Sequence, residues 1–306
     1  MSAKSITVSI IIPSWNGNQF ISSCLESLLE HGVDTSEIIV IDNGSTDNTL
    51  AQVHQYTSIK LIQNQSNTGF AHAVNQGLHA AQGEVLILLN QDIVAQSGWL
   101  EPILARFEQE PSVGIIGSKL LYPDGRVQHA GGYLDSLTRE GSHYIGDDPA
   151  HAIDYVTGAT FAIRRACWQA VGDFDEGFHL AYYEDVDYCL QAKSIGWSVC
   201  YEPASVLIHH ESQSRGNEFQ LNAMLNANRL RCVLKHDPID WIIDTFLSNE
   251  RIRWAQPHST KLLSAIAHAY LSAFIAAETI VASQQRATIQ NLLLGLRRLA
   301  LANVRR

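Results

Sequence analysis

Over the first ninety positions, short apolar runs rich in β-branched residues alternate with helical periodicities. The runs 7–12 (TVSIII), 37–41 (EIIVI), 58–62 (SIKLI) and 85–89 (VLILL) do not alternate apolar with polar. A strand wet on one face would alternate with period two, so these runs predict strands covered on both faces, as in a parallel sheet. Between them, 18–30 places Ile21, Leu25 and Leu28 at i, i+4 and i+7. The segment 47–56 opens on the helix-capping residues Ser45-Thr46-Asp47, and 69–82 places Phe70, Val74 and Leu78 at i, i+4 and i+8. The order βαβαβαβ predicts an open α/β sheet with crossover helices. In such sheets ligands sit at the carboxyl ends of the strands.

The middle of the chain is less regular. A helix is predicted over 99–110, ended by Pro111, and a strand over 113–118. Residues 122–150, rich in Gly, Asp and His, read as loops or a small hairpin. A helix is predicted over 185–195, with Val186, Cys189 and Leu190 inward and Gly196 as its stop, then a strand over 199–208. After residue 217 the pattern is helical. Its uncharged run, 262–277, has 16 residues, short of the roughly 20 that a spanning helix needs.

Composition narrows the class. With 306 residues, 46% apolar and 17% charged, the chain is long enough for two average domains, or one large α/β domain with an appendage, and is not disordered. Five cysteines form no CxxC pair. That argues against a disulfide framework or zinc ribbon and suits a reducing, cytoplasmic setting. The first residues carry one lysine and their apolar run breaks at Pro13, unlike a signal peptide or anchor. Charge divides the chain. Residues 1–217 hold 10 basic against 25 acidic residues, net −15, and residues 218–306 hold 11 against 6, net +5. An acidic body repels nucleic acid and needs a cation to take an anionic substrate. We therefore divide the chain into a domain over 1–217 and a helical C-terminal region over 218–306. In the latter, Leu292, Leu293, Leu296, Leu299 and Leu301 interleave with Arg297 and Arg298, and Arg286, Arg305 and Arg306 add charge. That pattern predicts peripheral docking on a membrane, or a homodimer contact through the same helices.

Candidate chemistry falls just after the predicted strands. Asn90-Gln91-Asp92 ends the fourth, with Asn90 and Asp92 on one side of the chain. Asp92 can hold a hard divalent cation or merely cap the next helix. Asp42, before Asn43-Gly44-Ser45, can accept the imide N–H of a pyrimidine or form an Asx turn. Tyr182-Tyr183-Glu184-Asp185-Val186-Asp187 opens a helix with three acids behind two aromatics. A carboxylate desolvated there suits a general base. His209-His210 ends the strand 199–208 and offers a ligand to the same cation. The loop 13–18 holds no basic residue, unlike the phosphate loop of a nucleotidyltransferase, and GxxxxGK[ST], GxGxxG, GxSxG and HExxH patterns are absent.

In order over residues 6–215, these segments resemble the family 2 glycosyltransferases, which have the GT-A nucleotide-diphospho-sugar-binding fold. They are Ile10 to Asn16, Val40 to Asp47, Asn67 to Ala71 with Asn75-Gln76-Gly77, Leu89 to Asp92, Thr157-Gly158-Ala159, Phe174-Asp175-Glu176, Tyr183 to Leu190 and Ile208 to His210. The resemblance implies that Pro13, Ser14, Trp15, Asn16 and Asp42 hold base and ribose, with Asn67, Gly69, Asn75 and Asn90 lining the nucleotide-sugar site. It implies that Asp92 and His209, with His210 the alternate, hold Mg²⁺ or Mn²⁺. Asn90 replaces the first acid of the family's DxD motif, so it offers only a neutral oxygen or an N–H. The resemblance implies Asp185 as the base of an inverting transfer. The branch is that of rhamnosyltransferases of cell-surface polysaccharides, which implies a dTDP-rhamnose donor as first choice and a saccharide or lipid-linked acceptor. A nucleotidyltransferase and a catalytically silent nucleotide-sugar-binding protein are the alternatives.

Overall fold

The structure, a computed structural model, describes residues 6–31, 38–146, 152–211, 218–256, 258–280, 293–299 and 301. It falls into two compact units. The first comprises Met1–Tyr133, Ser142–Leu180 and Glu184–Ser212; the second comprises Leu134–Gly141, Ala181–Tyr183 and Gln213–Arg306. The second unit thus takes in two short segments that a single cut near residue 217 leaves out.

The first unit is built on a sheet of nine strands. In chain order the elements are β1 (Val8–Ser14), α1 (Ile21–Glu30), β2 (Ile38–Asp42), α2 (Thr49–Val53), β3 (Lys60–Gln63), α3 (Phe70–Ala80), β4 (Val85–Leu89), β5 (Ile93–Ala95), α4 (Leu100–Gln109), β6 (Val113–Leu121) and β7 (Val127–His129). After a ribbon of β8 (Gly132–Leu134) and β9 (Gly141–His143) come β10 (Thr160–Arg164), α5 (Arg165–Val171), α6 (Glu184–Ser194) and β11 (Ser198–His209). The sheet order is β3-β2-β1-β4-β10-β6-β11-β5, with β7 on β6. Strands β3, β2, β1 and β4 are parallel, and β10 runs antiparallel to both β4 and β6. Every residue of β2 and β4 is buried, which is why their sequences do not alternate. Ile10, Ile12, Val40, Ile87 and Leu89 meet Ile21, Leu25 and Leu28 of α1 in one core.

Three departures from the sequence reading matter. Strands β5 and β10 and helix α5 have no counterpart in it. Helix α1 starts at Ile21 rather than 18, because Gly17 O first accepts the amides of both Phe20 and Ile21 in a turn. Helix α2 spans only Thr49–Val53 where 47–56 was expected, while the stretch after Tyr122 holds β7 and the small ribbon that the sequence allowed.

The second unit is helical: α7 (Glu218–His236), α8 (Ile239–Trp241), a π-helical turn (Ile242–Phe246), α9 (Leu247–Ala255) and α10 (Thr260–Ile280), with a further helical turn over 293–299. Helix α10 carries the 16-residue uncharged run and extends beyond it at both ends. By length and composition it can cross a membrane, over Thr260–Ala277, yet 44% of that window is buried inside the structure. Ile266, Ala269, Tyr270, Ala273 and Ala277 line its inward stripe and share a core with Leu230, Val233, Phe246 and Trp254. Leu296 and Leu299 are buried in the same core. These two leucines of the expected amphipathic face therefore pack internally, while Arg297, Arg298 and Leu301 are exposed. Arg286, Leu292, Arg305 and Arg306 lie outside the described residues.

This core has a buried charge at its centre. Arg229 and Glu250 pair through two contacts, of 3.1 and 2.7 Å, and the Trp254 indole and Tyr270 hydroxyl also donate to Glu250. Asn228 donates to the carbonyls of Ala181 and Tyr182, and the Tyr183 hydroxyl donates to Arg139 O. Tyr182 and Tyr183 are both left-handed, at φ 77° and 71°.

Candidate active site

The carboxyl ends of the parallel strands gather most of the expected residues. Ser14 and Asp42 are register partners at the ends of β1 and β2, and Asn43 N donates to Ser14 O at 2.7 Å. Asp42 is fully buried. Its Oδ2 accepts the Ser45 amide at 3.2 Å, which is an Asx turn, while its Oδ1 is buried with no hydrogen-bond partner. An orphaned carboxylate oxygen costs free energy in the empty protein and is a ready acceptor for an incoming N–H. Asn16, at φ 48°, ties its loop to the next one: Oδ1 accepts the Thr46 amide and its own amide donates to Ser45 Oγ. Trp15 is 41% exposed.

The loop before α3 is braced by amides. Asn67 Oδ1 accepts from Asn43 Nδ2 and Gly69 N. Gly69 has φ 92°, and a Cβ there would stand 3.4 Å from Leu180 N, so the position suits glycine. Asn75 is held by a neighbouring loop. Its carboxamide bonds to Phe174 N, Phe174 O and Glu176 Oε1, so it braces the 174–176 loop.

Asp92 and His209 are brought together by a strand absent from the sequence reading. β5 runs antiparallel to β11 with His209 opposite Ile93, and His210 N donates to Asp92 O. His209 Nε2 thereby lies 3.3 Å from Asp92 Oδ1. Gln128 of β7 receives the other ring nitrogen: His209 Nδ1 to Gln128 Oε1 is 2.7 Å. A carboxamide oxygen only accepts, so Nδ1 carries a proton and Nε2 is presented to Asp92. An imidazole lone pair facing a carboxylate oxygen at that distance is repulsive unless a cation or a proton lies between them. A proton on the imidazole relieves that repulsion, and a divalent cation held by both groups does so as well. Among the described residues no group of three or more His, Cys, Asp or Glu joins to hold one. The protein would supply these two ligands and leave other positions for phosphate oxygens and water. His210 is exposed and packs its ring near Phe20.

Asp185 sits in the first turn of α6. Its Oδ2 accepts the Gly158 amide at 2.9 Å and its Oδ1 the Val186 amide at 2.8 Å. The next residue of that loop, Ala159, accepts the Asn90 amide at 3.0 Å, so one loop anchors both the acid and the strand end leading to Asp92. Burial raises the Asp185 carboxyl above its ordinary range, against the pull of the two amides and of His143. Burial, with the Asp185 charge beside it, pushes Glu184 up further, and Glu184 Oε2 has no partner. The desolvation was expected; its source was not. Tyr182 is exposed and the Tyr183 hydroxyl is engaged elsewhere. Burial is the largest influence on both acids. His143, whose basicity burial lowers, interacts with Asp185, Glu211 and His209. His143, Gln91 and Gln128 are the residues that sequence reasoning missed. Only Gln91, inside the Asn90–Asp92 motif, carried any signal.

Comparison with known proteins follows this geometry. Residues 9–169 match the family model of Glycosyl transferase family 2. The chain belongs to that family. It is 31% identical over 226 residues to the O-antigen biosynthesis protein RfbC of Myxococcus xanthus, covering 68% of this chain and 18% of that one. It is 27% identical over 212 residues to the N-acetylglucosaminyl-diphospho-decaprenol L-rhamnosyltransferase of Mycobacterium tuberculosis, covering 59% and 68%. The chain spans a quarter or less of the length of the curated relatives it matches at 31% identity over two thirds of its own length. Among solved structures it is similar to GalNAc-T7 with UDP, GalNAc and Mn²⁺, at TM-score 0.62 and 18% identity, covering 83% of this chain and 52% of that one. That likeness shows the fold, the GT-A fold with helices appended at its C-terminal end.

Proposed function

We propose that this family 2 protein is an inverting glycosyltransferase. It takes a sugar from a nucleotide-diphospho-sugar, with dTDP-rhamnose the first choice, and passes it to a saccharide or lipid-linked acceptor. The observation that carries the reading is the Asp92–His209 pair at 3.3 Å, with the second nitrogen of His209 committed to Gln128. Asp92 and His209 would hold Mg²⁺ or Mn²⁺, whose charge offsets the donor diphosphate and favours its departure. Ser14, Trp15, Asn16 and Asp42 hold the nucleoside, with the orphaned Asp42 Oδ1 accepting the imide N–H of uracil or thymine. Asn67, Gly69 and Asn90 shape the rest of the donor site.

Asp185 takes the proton of the acceptor hydroxyl as that oxygen attacks the anomeric carbon. The bond from that carbon to the diphosphate oxygen breaks, and the nucleoside diphosphate leaves with the electron pair. A single displacement inverts the anomeric configuration, and the transition state has oxocarbenium character. The raised Asp185 carboxyl suits a base working near neutral pH.

The M. tuberculosis relative, named a rhamnosyltransferase acting on a diphospho-decaprenol acceptor, supports the sugar and the acceptor class. The reading places the reaction in the cytoplasm, in keeping with five free cysteines, and on the membrane face when the acceptor is lipid-linked. Turnover assays with UDP-, dTDP- and GDP-sugars, with and without Mn²⁺, test it. Release of free nucleoside diphosphate dependent on an acceptor supports transfer. Pyrophosphate release from a nucleoside triphosphate would move the protein to the nucleotidyltransferases, and binding without turnover would make it a silent sugar-nucleotide binder.

A further inference from the structure

Gln91 is the middle residue of the Asn90–Asp92 motif, and its side chain is buried against the loop that follows β1. Ser14 Oγ donates to Gln91 Oε1 at 2.6 Å, and the Trp15 amide donates to the same oxygen at 3.1 Å. Gln91 Nε2 donates back to Trp15 O at 3.1 Å. The carboxamide thus pairs with both backbone groups of Trp15, as a neighbouring strand would. These bonds span 76 and 77 positions of sequence.

Gly17 completes the arrangement. A Cβ at residue 17 would lie 2.1 Å from Gln91 Oε1 and 2.6 Å from Cδ. The carboxamide occupies the volume that any other residue at 17 would fill. Gly17 is also fixed from the far side, its amide donating to Thr49 Oγ1 at 2.7 Å. The absent side chain at 17 is therefore what lets Gln91 reach Trp15.

We propose that Gln91 is a positioning residue that locks the nucleoside-binding loop 14–17 to the strand end bearing Asp92, so that both halves of the donor site form one rigid surface. The inference rests on the donor-site reading above. Its physical content is preorganisation. Base and ribose are held by the loop, the diphosphate by the residue next to Gln91, and the lock removes the cost of ordering one half relative to the other on binding.

The test uses the full chain and calorimetric titration of UDP and dTDP in Mn²⁺, following the nucleotide that binds tighter. Gln91→Ala should weaken it about tenfold, the scale of one well-made hydrogen bond. With the donor that turns over, KM should rise by the same factor while kcat stays within about twofold. Gly17→Ala should reproduce both effects in a folded protein with a modestly lowered melting midpoint, because the Gln91 carboxamide is the far end of a flexible side chain and can swing aside at the cost of its hydrogen bonds. The double variant Gly17→Ala/Gln91→Ala should bind no worse than either single one, since both remove the same lock. Affinity within about twofold of wild type in either single variant, or losses that multiply in the double, would overturn the proposal. Asp92→Ala separates it from the reading beneath. If Asp92→Ala abolishes Mn²⁺-dependent binding while Gln91→Ala binds normally, only the lock fails. If Asp92→Ala leaves that binding intact, the donor-site reading fails and the lock with it.

Discussion

Replacing Asp185 with Asn keeps the shape of the acid and removes its ability to take a proton. Loss of a general base costs about 10²–10⁴ in rate, or about 2.7–5.5 kcal/mol of barrier. The structure adds a second, smaller effect. Both carboxylate oxygens of Asp185 accept backbone amides, from Gly158 at 2.9 Å and Val186 at 2.8 Å. Asparagine has one acceptor oxygen, so its NH₂ must face one of these N–H groups, at a cost of about 1–3 kcal/mol for the stranded amide. The expected outcome is a folded protein with a modestly lowered melting midpoint, near-normal binding of the nucleoside diphosphate and turnover down by at least a hundredfold. Steady-state kinetics beside calorimetry measures both. In wild type, kcat/KM should fall on the acid side at a pH above the ordinary aspartate range, about 3.9, because burial raises Asp185 and a base must be unprotonated to act. Glu184 is raised further and stays neutral through that range, so Glu184→Gln should leave the acid limb in place. Normal turnover in Asp185→Asn, with Glu184→Gln inactive, would refute the reasoning and move the base to Glu184.

Glu184 also makes a stability prediction. Its folded carboxyl titrates above its unfolded value, so the unfolded chain binds fewer protons once pH passes about 4.3, and stability is lost as pH rises. Glu184→Gln should therefore raise the melting midpoint at pH 7.5 and leave it nearly unchanged at pH 4; an equal change at both would argue against a buried neutral acid. Asp92→Ala should abolish Mn²⁺-dependent binding of the nucleoside diphosphate and His209→Ala should weaken it, as titration with and without Mn²⁺ would read; unchanged metal dependence in Asp92→Ala counts against the assignment. Asp42→Ala should weaken UDP or dTDP by about 1.5–3 kcal/mol, the worth of a hydrogen bond to a charged group, and a purine diphosphate by less; equal losses would leave Asp42 as a turn residue only. In the second unit, Arg229→Ala should destabilise by about 3–5 kcal/mol, because Glu250 would keep a buried, uncompensated charge. Arg229→Met/Glu250→Gln should recover much of that in urea unfolding followed by tryptophan fluorescence, and additive losses would refute the coupling.

The four parallel strands, the helices between them and the placement of chemistry at strand ends were legible in the sequence. The cause is local: a strand buried on both faces must be apolar throughout, and a crossover helix must repeat every three to four residues, so each leaves its mark within ten positions. Pro13 to Asn16, Asp42, Asn90 and Asp92 drew notice the same way, since each ends or follows such a run, whereas Asp185 stood out by the cluster of acids that opens its helix.

The tertiary structure decided what depends on partners far away in the chain. β5 is three residues long and exists because β11 pairs with it, and that pairing sets His209 beside Asp92. Gln128 reaches His209 only because β7 lies on β6, the neighbour of β11. Asn75 braces a loop about one hundred positions away, a contact that its local sequence does not announce. Leu296 and Leu299, which repeat as an amphipathic surface would, are buried in the helical core instead. A hydrophobic period tells that a face is covered, but not by what, because the covering side chains are set by the packing of the whole unit.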